Sequence, residues 1–120
     1  MEKNKRAFLH SQQFDDIWEK LGLDDNTLRR LQNEIVRNPK AGKLMQGTGG
    51  FRKMRFGSAD GGKSGGFRVI YMDFPAYAFV YLLMVYPKSE KETLTNGEKN
   101  SLRLIGKATR DSFRKREVKW

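Results

Sequence analysis

The chain has 120 residues, with 24 Lys and Arg against 14 Asp and Glu, which gives a formal net charge of +10. This length suits one compact domain, which we expect to span residues 1–120. There is no cysteine, and the one histidine, His10, cannot form a metal site by itself, so we expect no disulfide, metal or cofactor. No apolar run is long enough to cross a membrane, and no signal-type apolar core follows the charged N-terminus, so we expect a cytosolic protein without a membrane partner. The positive surplus favours a polyanionic partner.

The N-terminal region predicts a strand followed by a helix. Ala7–His10 is a short apolar stretch after a charged start, and Ser11 is a suitable N-cap for a helix. Gly22 suits the end of this helix, because glycine readily adopts the left-handed conformation found there. The apolar residues between these two points have the helical spacing i, i+3, i+4, i+7: Phe14, Ile17, Trp18 and Leu21.

A second helix is predicted directly after the first. Either Asp24 or Asp25 can act as its N-cap. Asn38-Pro39 ends it, because the residue before a proline disfavours the helical conformation. Its apolar stripe contains Leu28, Leu31 and Ile35. The short connection between the two helices predicts a helical hairpin.

Further along the chain, the apolar pattern changes to the period of two that is typical of strands. Strands are predicted at Phe51–Phe56, at Phe67–Met72 and at about Ala76–Tyr86, with a hairpin turn near Asp73–Pro75. Gly57–Gly66 connects the first two of these strands as a long loop.

The C-terminal region predicts one more helix. Thr95 and Glu98 have the spacing of a capping box, which marks a helix start. The expected buried face of this helix contains Leu102, Ile105, Ala108 and Phe113. The complete order indicates an α+β fold, in which an N-terminal strand and a helical hairpin pack on a mainly antiparallel sheet and a C-terminal helix follows.

One glycine-rich segment concentrates the positive charge. Lys40–Tyr71 contains seven cations and a single acid, Asp60. Inside it, Gly57-x-x-x-x-Gly62-Lys63-Ser64 matches the spacing of a phosphate-binding loop. That mechanism requires a helix N-terminus facing the phosphates, whereas residues 65–71 are two glycines followed by strand-forming residues. We therefore expect that this loop does not bind ATP.

The two sides of the Phe51–Phe56 strand differ in chemistry. Alternation places Met54 and Phe56 on one side and Lys53 and Arg55 on the other. The apolar side can pack on the helices, which leaves the two cations on an open face. Arg68 in the next strand has two interpretations: a salt bridge to an acid from a helix, or a place beside Lys53 and Arg55 in a cationic cleft.

Two residues near the end of the third strand extend this hypothesis. Lys88 follows the strand and is suited to close the cleft. Tyr86 offers a ring for stacking on a base, although half-buried packing is the simpler explanation of a tyrosine there. Grouped cations repel one another, and this cost makes sense if a polyanion normally binds among them.

Several ordered segments resemble a known protein family. The resemblance covers roughly Phe8 to Ile105. It is to the RelE/HigB family of bacterial toxins and, within it, to the HigB branch of type II toxin–antitoxin systems. The segments that carry it are Gly47–Arg55, Gly62–Tyr71, Tyr86–Lys91, Asn38-Pro39-x-x-Gly42 and Leu94-Thr95.

The resemblance implies a small RelE-like RNase fold and an endoribonuclease that cleaves messenger RNA, commonly in the ribosomal A site. It also implies neutralisation by a cognate antitoxin protein. The family's catalytic positions fall on Lys53, Arg55, Arg68 and Lys88, and we assign RNA binding to Arg52, Lys63, Tyr86 and Lys91. Two positions depart from the family: Leu94 replaces a tyrosine that is catalytic in some members, and Pro87 precedes the basic residue.

The implied chemistry is attack of an RNA 2′-hydroxyl on the adjacent phosphate, which needs proton transfer and charge stabilisation. A lysine can act as base when neighbouring cations favour its neutral form, and Lys53 is the candidate. Arg55 and Arg68 would stabilise the phosphate, and Lys88 would assist the leaving group.

The sequence leaves two other interpretations open. One is a non-catalytic RNA- or DNA-binding module with the same basic surface. The other is a protein whose basic face binds an acidic antitoxin-like segment, an activity that is compatible with the first. Codon preference, ribosome dependence, antitoxin identity and oligomeric state are left open.

Overall fold

The structure is a computed structural model and describes residues 5–57, 66–87 and 94–117. Its sheet has five strands in the order β1-β5-β4-β3-β2, of which β1 runs parallel to β5 and the other neighbours are antiparallel. This arrangement confirms the predicted α+β class. The elements are β1 (Ala7–His10), α1 (Gln12–Lys20), α2 (Asp25–Arg37), β2 (Lys43–Leu44), β3 (Arg52–Phe56), β4 (Phe67–Phe74), β5 (Phe79–Pro87) and α3 (Asn96–Glu117).

The helical hairpin forms as local signals predict. The Ser11 hydroxyl accepts a hydrogen bond from the Phe14 N–H, and the Asp24 carboxylate accepts from the Thr27 N–H. Gly22 has a φ of 75° at the turn between the helices. The hairpin covers one face of the sheet, and the buried residues of this core are Phe14, Trp18, Leu31, Ile35, Met54, Phe56, Val69, Tyr71, Val80, Leu82 and Val85.

The C-terminal helix α3 covers the opposite face, so the expectation that this face is open is wrong in part. Thr95 and Glu98 form the predicted capping box: the Glu98 N–H donates to Thr95 Oγ1 over 3.1 Å, and the Thr95 N–H donates to Glu98 Oε1 over 2.8 Å. The buried residues of this second core are Phe51, Ile70, Met72, Phe74, Leu83, Tyr86, Leu94, Leu102 and Phe113.

One predicted core residue of α3 is exposed. Ala108 faces solvent, and the buried small residue is Gly106. A Cβ atom at Gly106 would lie 3.0 Å from Met72 Cε and 3.4 Å from the Phe51 ring. The missing side chain therefore lets the helix approach the sheet closely at this point.

The turn between β4 and β5 lies later than predicted. β4 continues to Phe74, and the turn is a short 3-10 helix at Pro75–Tyr77. Asp73, which suggested a turn, stays in the strand because the Arg6 guanidinium donates to both of its carboxylate oxygens, over 2.7 and 3.1 Å. These hydrogen bonds raise the pKa of Arg6 above its ordinary value.

The short strand β2 was not predicted, and a tyrosine from the sheet holds the chain that leads to it. The Tyr71 hydroxyl donates to the Pro39 carbonyl over 2.8 Å and accepts from the Gly42 N–H over 3.0 Å. Arg52 Nη1 donates to the Gly42 carbonyl over 2.8 Å. A Cβ at Gly42 would lie 3.0 Å from the Tyr71 ring, which explains why a glycine stands at the end of the Asn-Pro-x-x-Gly segment. In the described parts of the chain, no helix has the length and apolar character needed to span a membrane.

Candidate functional site

The register of the sheet brings three of the predicted catalytic residues to one surface. Met54 and Phe56 belong to the core under the helical hairpin, so Lys53 and Arg55 point to the face that α3 covers. Arg55 lies directly opposite Arg68 in β4. Directly opposite residues of antiparallel strands have Cβ atoms about 4.5–5.5 Å apart. The predicted cationic cluster is therefore present in the backbone geometry.

A further lysine, not singled out from the sequence, joins this cluster. Lys43 in β2 lies directly opposite Lys53, and both residues therefore share a face. We call the four residues Lys43, Lys53, Arg55 and Arg68 the cationic patch. The sequence could not reveal Lys43, because β2 is too short to show a periodic pattern.

The residues of the cationic patch differ in exposure. Lys43 and Arg55 are exposed, while Lys53 and Arg68 are half-buried. The Nη1 atom of Arg68 is buried. The patch thus combines two freely hydrated cations with two that are partly desolvated, and partly desolvated cations interact more strongly with an anion than fully hydrated ones do.

The structure separates Arg52 from the other predicted site residues. Arg52 alternates with Lys53 along β3, lies opposite Tyr71 and therefore faces the helical hairpin. Its guanidinium donates to the Gly42 carbonyl. This contact gives Arg52 a local structural role, and its predicted role in RNA binding finds no support from its position.

Tyr86 reaches the cationic patch but is buried. It lies directly opposite Arg68 in the sheet, so the row Arg55–Arg68–Tyr86 crosses three strands. Only 6% of Tyr86 is exposed, and it packs in the core under α3 together with Leu94. Leu94, the residue that replaces a tyrosine found in some family members, is itself buried. The ring of Tyr86 is therefore not presented on an open surface.

Three predicted site residues lie outside the described residues. They are Lys63, Lys88 and Lys91. Their assigned roles stay predictions.

Cations of α3 extend the positive surface beyond the patch, along the turn that joins β2 and β3. Lys99 and Arg103 approach Gly47 and Gly49, and Arg110 Nη2 donates to the Gly49 carbonyl over 2.9 Å. Gly47 and Gly49 have φ values of 82° and 78°, a conformation that favours glycine. Helical spacing in the sequence predicts that Lys99, Arg103 and Arg110 share one face of α3. Only the packing of α3 on the sheet places that face beside the turn between β2 and β3.

The donor set of this surface suits anions rather than metals. Lysine and arginine side chains bind phosphate oxygens by charge-assisted hydrogen bonds. Within the described residues, no three His, Asp or Glu side chains come together as a metal-binding group. His10 lies with its Nδ1 2.9 Å from Asp15 Oδ1 and its ring against Phe14, under the helical hairpin and thus on the other face from the cationic patch.

The comparisons with known proteins agree with this fold. The sequence matches the family model for the RelE toxin of the RelE / RelB toxin–antitoxin system over residues 5–118. Among solved structures, the chain is similar to the free state of E. coli toxin RelE, in a mutant form with two arginines replaced by alanine. That similarity has a TM-score of 0.53 at 16% identity and covers 84% of this chain and 96% of the other, so it supports the fold alone. Because the family model matches nearly the whole chain, this protein belongs to the RelE family of toxins of toxin–antitoxin systems.

Proposed function

We propose that this toxin is an endoribonuclease that cleaves messenger RNA on the ribosome, in the A site, and thereby inhibits translation. The observation that carries the proposal is the direct pairing of Arg55 with Arg68, with Lys53 on the same face. Two arginines placed opposite each other on neighbouring strands offer two guanidinium groups on one face, and phosphate oxygens bind such groups by charge-assisted hydrogen bonds. Membership of the RelE family supports the same reaction class.

The chemistry assigned to the cationic patch is transesterification. The RNA 2′-oxygen forms a bond to the adjacent phosphorus, and the bond from phosphorus to the 5′-oxygen breaks. Lys53 takes the proton from the 2′-hydroxyl, while Arg55 and Arg68 stabilise the charge on the phosphate oxygens in the transition state. A proton delivered to the departing 5′-oxygen, assigned to Lys88, completes the step and leaves a 2′,3′-cyclic phosphate and a 5′-hydroxyl.

The finer classification and the partner follow from the same family. Gly47–Arg55, Gly62–Tyr71 and Tyr86–Lys91 support assignment to the HigB branch. Toxins of toxin–antitoxin systems are paired with an antitoxin, and a cognate antitoxin protein is therefore the expected partner of this chain. Expression of the chain without that antitoxin is expected to arrest growth.

The test is cleavage mapping on translating ribosomes. Purified protein is added to a reconstituted translation reaction, and new messenger RNA ends are sequenced. We expect new ends within codons, and a loss of rate of about 10²–10⁴-fold for Lys53→Ala and about 10²–10³-fold for Arg68→Ala. Arg29→Ala is the matched control, because this exposed arginine lies on α2 and not on the face that carries the cationic patch.

Each contrary outcome has a distinct meaning. If the protein binds RNA with a steep salt dependence but produces no new ends, it is a non-catalytic nucleic-acid-binding module. If it binds only the antitoxin, the basic surface serves protein binding. Full activity of folded Lys53→Ala, checked by circular dichroism, would remove Lys53 from the reaction.

A further inference from the structure

Four cations lie along one side of α3. They occupy positions i, i+4, i+11 and i+15 of the helix, which helical periodicity places on the same side. At a rise of about 1.5 Å per residue, these positions span roughly 22 Å. Two of the four side chains are exposed and two are half-buried. We call this set the α3 row, and it consists of Lys99, Arg103, Arg110 and Arg114.

The α3 row begins beside the cationic patch. The hairpin of β2 and β3 carries two residues of that patch, and its turn lies against the start of the row. A Cβ atom at Gly47 would lie 3.6 Å from Lys99 Cδ, and one at Gly49 would lie 3.4 Å from Arg103 Cγ. The alkyl stems of these two cations therefore pack on the turn, and long charged side chains packed in this way keep their charged ends in water. An RNA strand bound at the patch can thus continue along a positive surface.

The other end of the α3 row reaches a pocket of about 330 Å³. Arg110 and Arg114 line this pocket, and so do Pro75 and Tyr77. The Tyr77 ring stacks on Phe113 with 4.9 Å between the ring centroids, which fixes its orientation. The volume is within the range of roughly 300–1,000 Å³ that is typical of small-molecule sites. The pocket combines two arginines with an aromatic ring.

Arg110 is held in place before any ligand binds. Its Nη2 donates to the Gly49 carbonyl over 2.9 Å and lies 3.6 Å from Met72 Sδ. Its guanidinium carbon lies 6.0 Å from the centroid of the Phe74 ring. Within the described residues, both hydrogen bonds of this guanidinium come from Nη2, which leaves Nη1 and Nε for a ligand. A side chain that is already ordered loses little conformational entropy when it binds a phosphate.

Two acids near the α3 row have other cationic partners. Asp73 also lines the pocket, but its two carboxylate oxygens accept from Arg6 over 2.7 and 3.1 Å. Asp111 accepts from Lys107 over 3.0 Å and lies 4.0 Å from Arg114 Nη1. These two carboxylates are therefore neutralised by cations outside the row, and the row keeps its positive charge.

We propose that the α3 row and its pocket bind single-stranded RNA on one side of the cut, with phosphates on the cations and one base against Tyr77. Proteins that bind single-stranded nucleic acid combine a positively charged groove along the backbone with aromatic rings on which bases stack, and the α3 row has both features. The inference rests on the proposed function, because the row continues from the patch that is assigned to the scissile phosphate. That continuity favours RNA over an acidic peptide.

The experiment measures binding of RNA that cannot be cleaved. The probes are fluorescently labelled 2′-O-methyl oligoadenylates of about two to ten nucleotides, in which the attacking oxygens are blocked. Fluorescence anisotropy at constant low salt gives the affinity at each length. For the wild-type protein we expect the affinity to rise with length until the RNA spans both the patch and the row.

The variants should lose affinity in the order of their positions along the surface. Arg55→Ala should weaken binding at every length, because the patch holds the shortest probes. Lys99→Ala should weaken binding by about two- to fivefold only above an intermediate length, and Arg114→Ala only for still longer probes. Tyr77→Leu should weaken the longest probes by about fivefold or more, whereas Tyr77→Phe, which keeps the ring, should not.

Lys115→Ala is the matched control. It removes the same charge from the same helix one position after Arg114, where an exposed side chain points in a different direction around the axis. We expect it to leave the length dependence as in the wild type. Circular dichroism checks that each variant is folded.

The outcomes separate this inference from the proposed function. The expected order of length dependence without messenger RNA cleavage would overturn the proposed function and leave the RNA site on α3 in place. Cleavage with the same length dependence in the wild type, Lys99→Ala and Arg114→Ala would overturn the α3 site alone, as would equal losses that include Lys115→Ala. Unchanged oligonucleotide binding together with a lower affinity for the antitoxin would assign the row to an acidic protein segment instead.

Discussion

Two glycines at the ends of the same hairpin have different structural requirements. Gly66 has a φ of 63°, and a Cβ built there would lie 2.5 Å from the Phe56 carbonyl oxygen. Gly57, at the other end, has no atom of the described residues within 4 Å of the same position. The number of glycines in this segment therefore does not show which of them the fold needs.

We predict that Gly66→Ala lowers the free energy of unfolding by about 1–3 kcal/mol, because it combines backbone strain with a steric clash. Gly57→Ala is the matched control and should be neutral or stabilising by up to about 1 kcal/mol. Urea denaturation of both variants measures the difference. Equal effects of the two substitutions would contradict the geometry at Gly66.

The Tyr71 hydroxyl provides a second test at this scale. Tyr71→Phe leaves the Gly42 N–H and the Pro39 carbonyl without their tyrosine partner. The expected cost is about 1–3 kcal/mol of stability at neutral pH, measured by denaturation.

The pH dependence of that cost has a defined sign. Burial raises the pKa of Tyr71 above its ordinary value, so the folded state favours the neutral phenol. The stability that the Tyr71 hydroxyl contributes is complete below the ordinary tyrosine pKa of about 10. It is lost as the pH rises through the pKa of Tyr71 in the folded protein. The stability difference between wild type and Tyr71→Phe should therefore shrink in strongly alkaline solution, and a constant difference up to that range would argue against this role of the hydroxyl.

Among the elements, α3 has three surfaces with different tasks. One side packs on the sheet through Leu102 and Phe113. Another side lines a cavity of about 450 Å³ between α1, β5 and α3 through Glu98 and Ser101. A third side presents cations to the turn between β2 and β3. One helix can have three such sides because successive residues point in different directions around the helix axis.

The cationic side of α3 yields a prediction about RNA binding. Lys99 and Arg103 lie beside the glycine turn. Log affinity falls linearly with log salt concentration, with a slope of about −0.7 per phosphate contact for single strands. If each side chain contacts one RNA phosphate, Lys99→Ala and Arg103→Ala should each make this negative slope less steep by about 0.7. Fluorescence titration of a labelled RNA over a range of salt concentrations measures this slope.

Lys107 serves as the control on the same helix. Its amino group forms an i,i+4 ion pair with Asp111, and its side chain is largely exposed. Lys107→Ala should change the slope little. An equal decrease for all three variants would indicate a diffuse effect of net charge rather than contacts at the turn.

For the whole molecule, the net charge of +10 and the cationic patch predict that phosphates supply most of the affinity for RNA. An RNA with a single 2′-deoxy sugar on the 5′ side of the cut should still bind, but it should not be cleaved, because the attacking oxygen is absent. A chelator of transition metals that leaves the magnesium of the ribosome in place should leave cleavage of normal RNA intact, since the reaction assigned to the patch uses only lysines and arginines.

The normal RNA and the 2′-deoxy RNA are compared with and without chelator in the reconstituted ribosome reaction, and the chemical groups at the product ends are analysed. Cleavage of the deoxy substrate, or products with a 5′-phosphate, would indicate an activated water as nucleophile. Loss of cleavage with this chelator, while translation by the same ribosomes continues, would indicate a metal requirement of the toxin.

The sequence by itself determined the local features of this protein. Ser11, Asp24 and the Thr95–Glu98 capping box all act where predicted, because each cap joins residues only three positions apart. Alternation along β3 likewise separated Lys53 and Arg55 from the core, since neighbouring side chains of a strand point to opposite faces.

Only the tertiary structure decided how distant segments meet. Arg6 binds Asp73, so the turn between β4 and β5 lies later in the chain than predicted. The helix α3 covers the face of the sheet that was expected to be open. The tertiary structure also brought Lys43 opposite Lys53 and enclosed a cavity between α1, β5 and α3. Such contacts depend on which faces bury the most apolar surface together, and that is a property of the packed elements rather than of any short stretch of sequence.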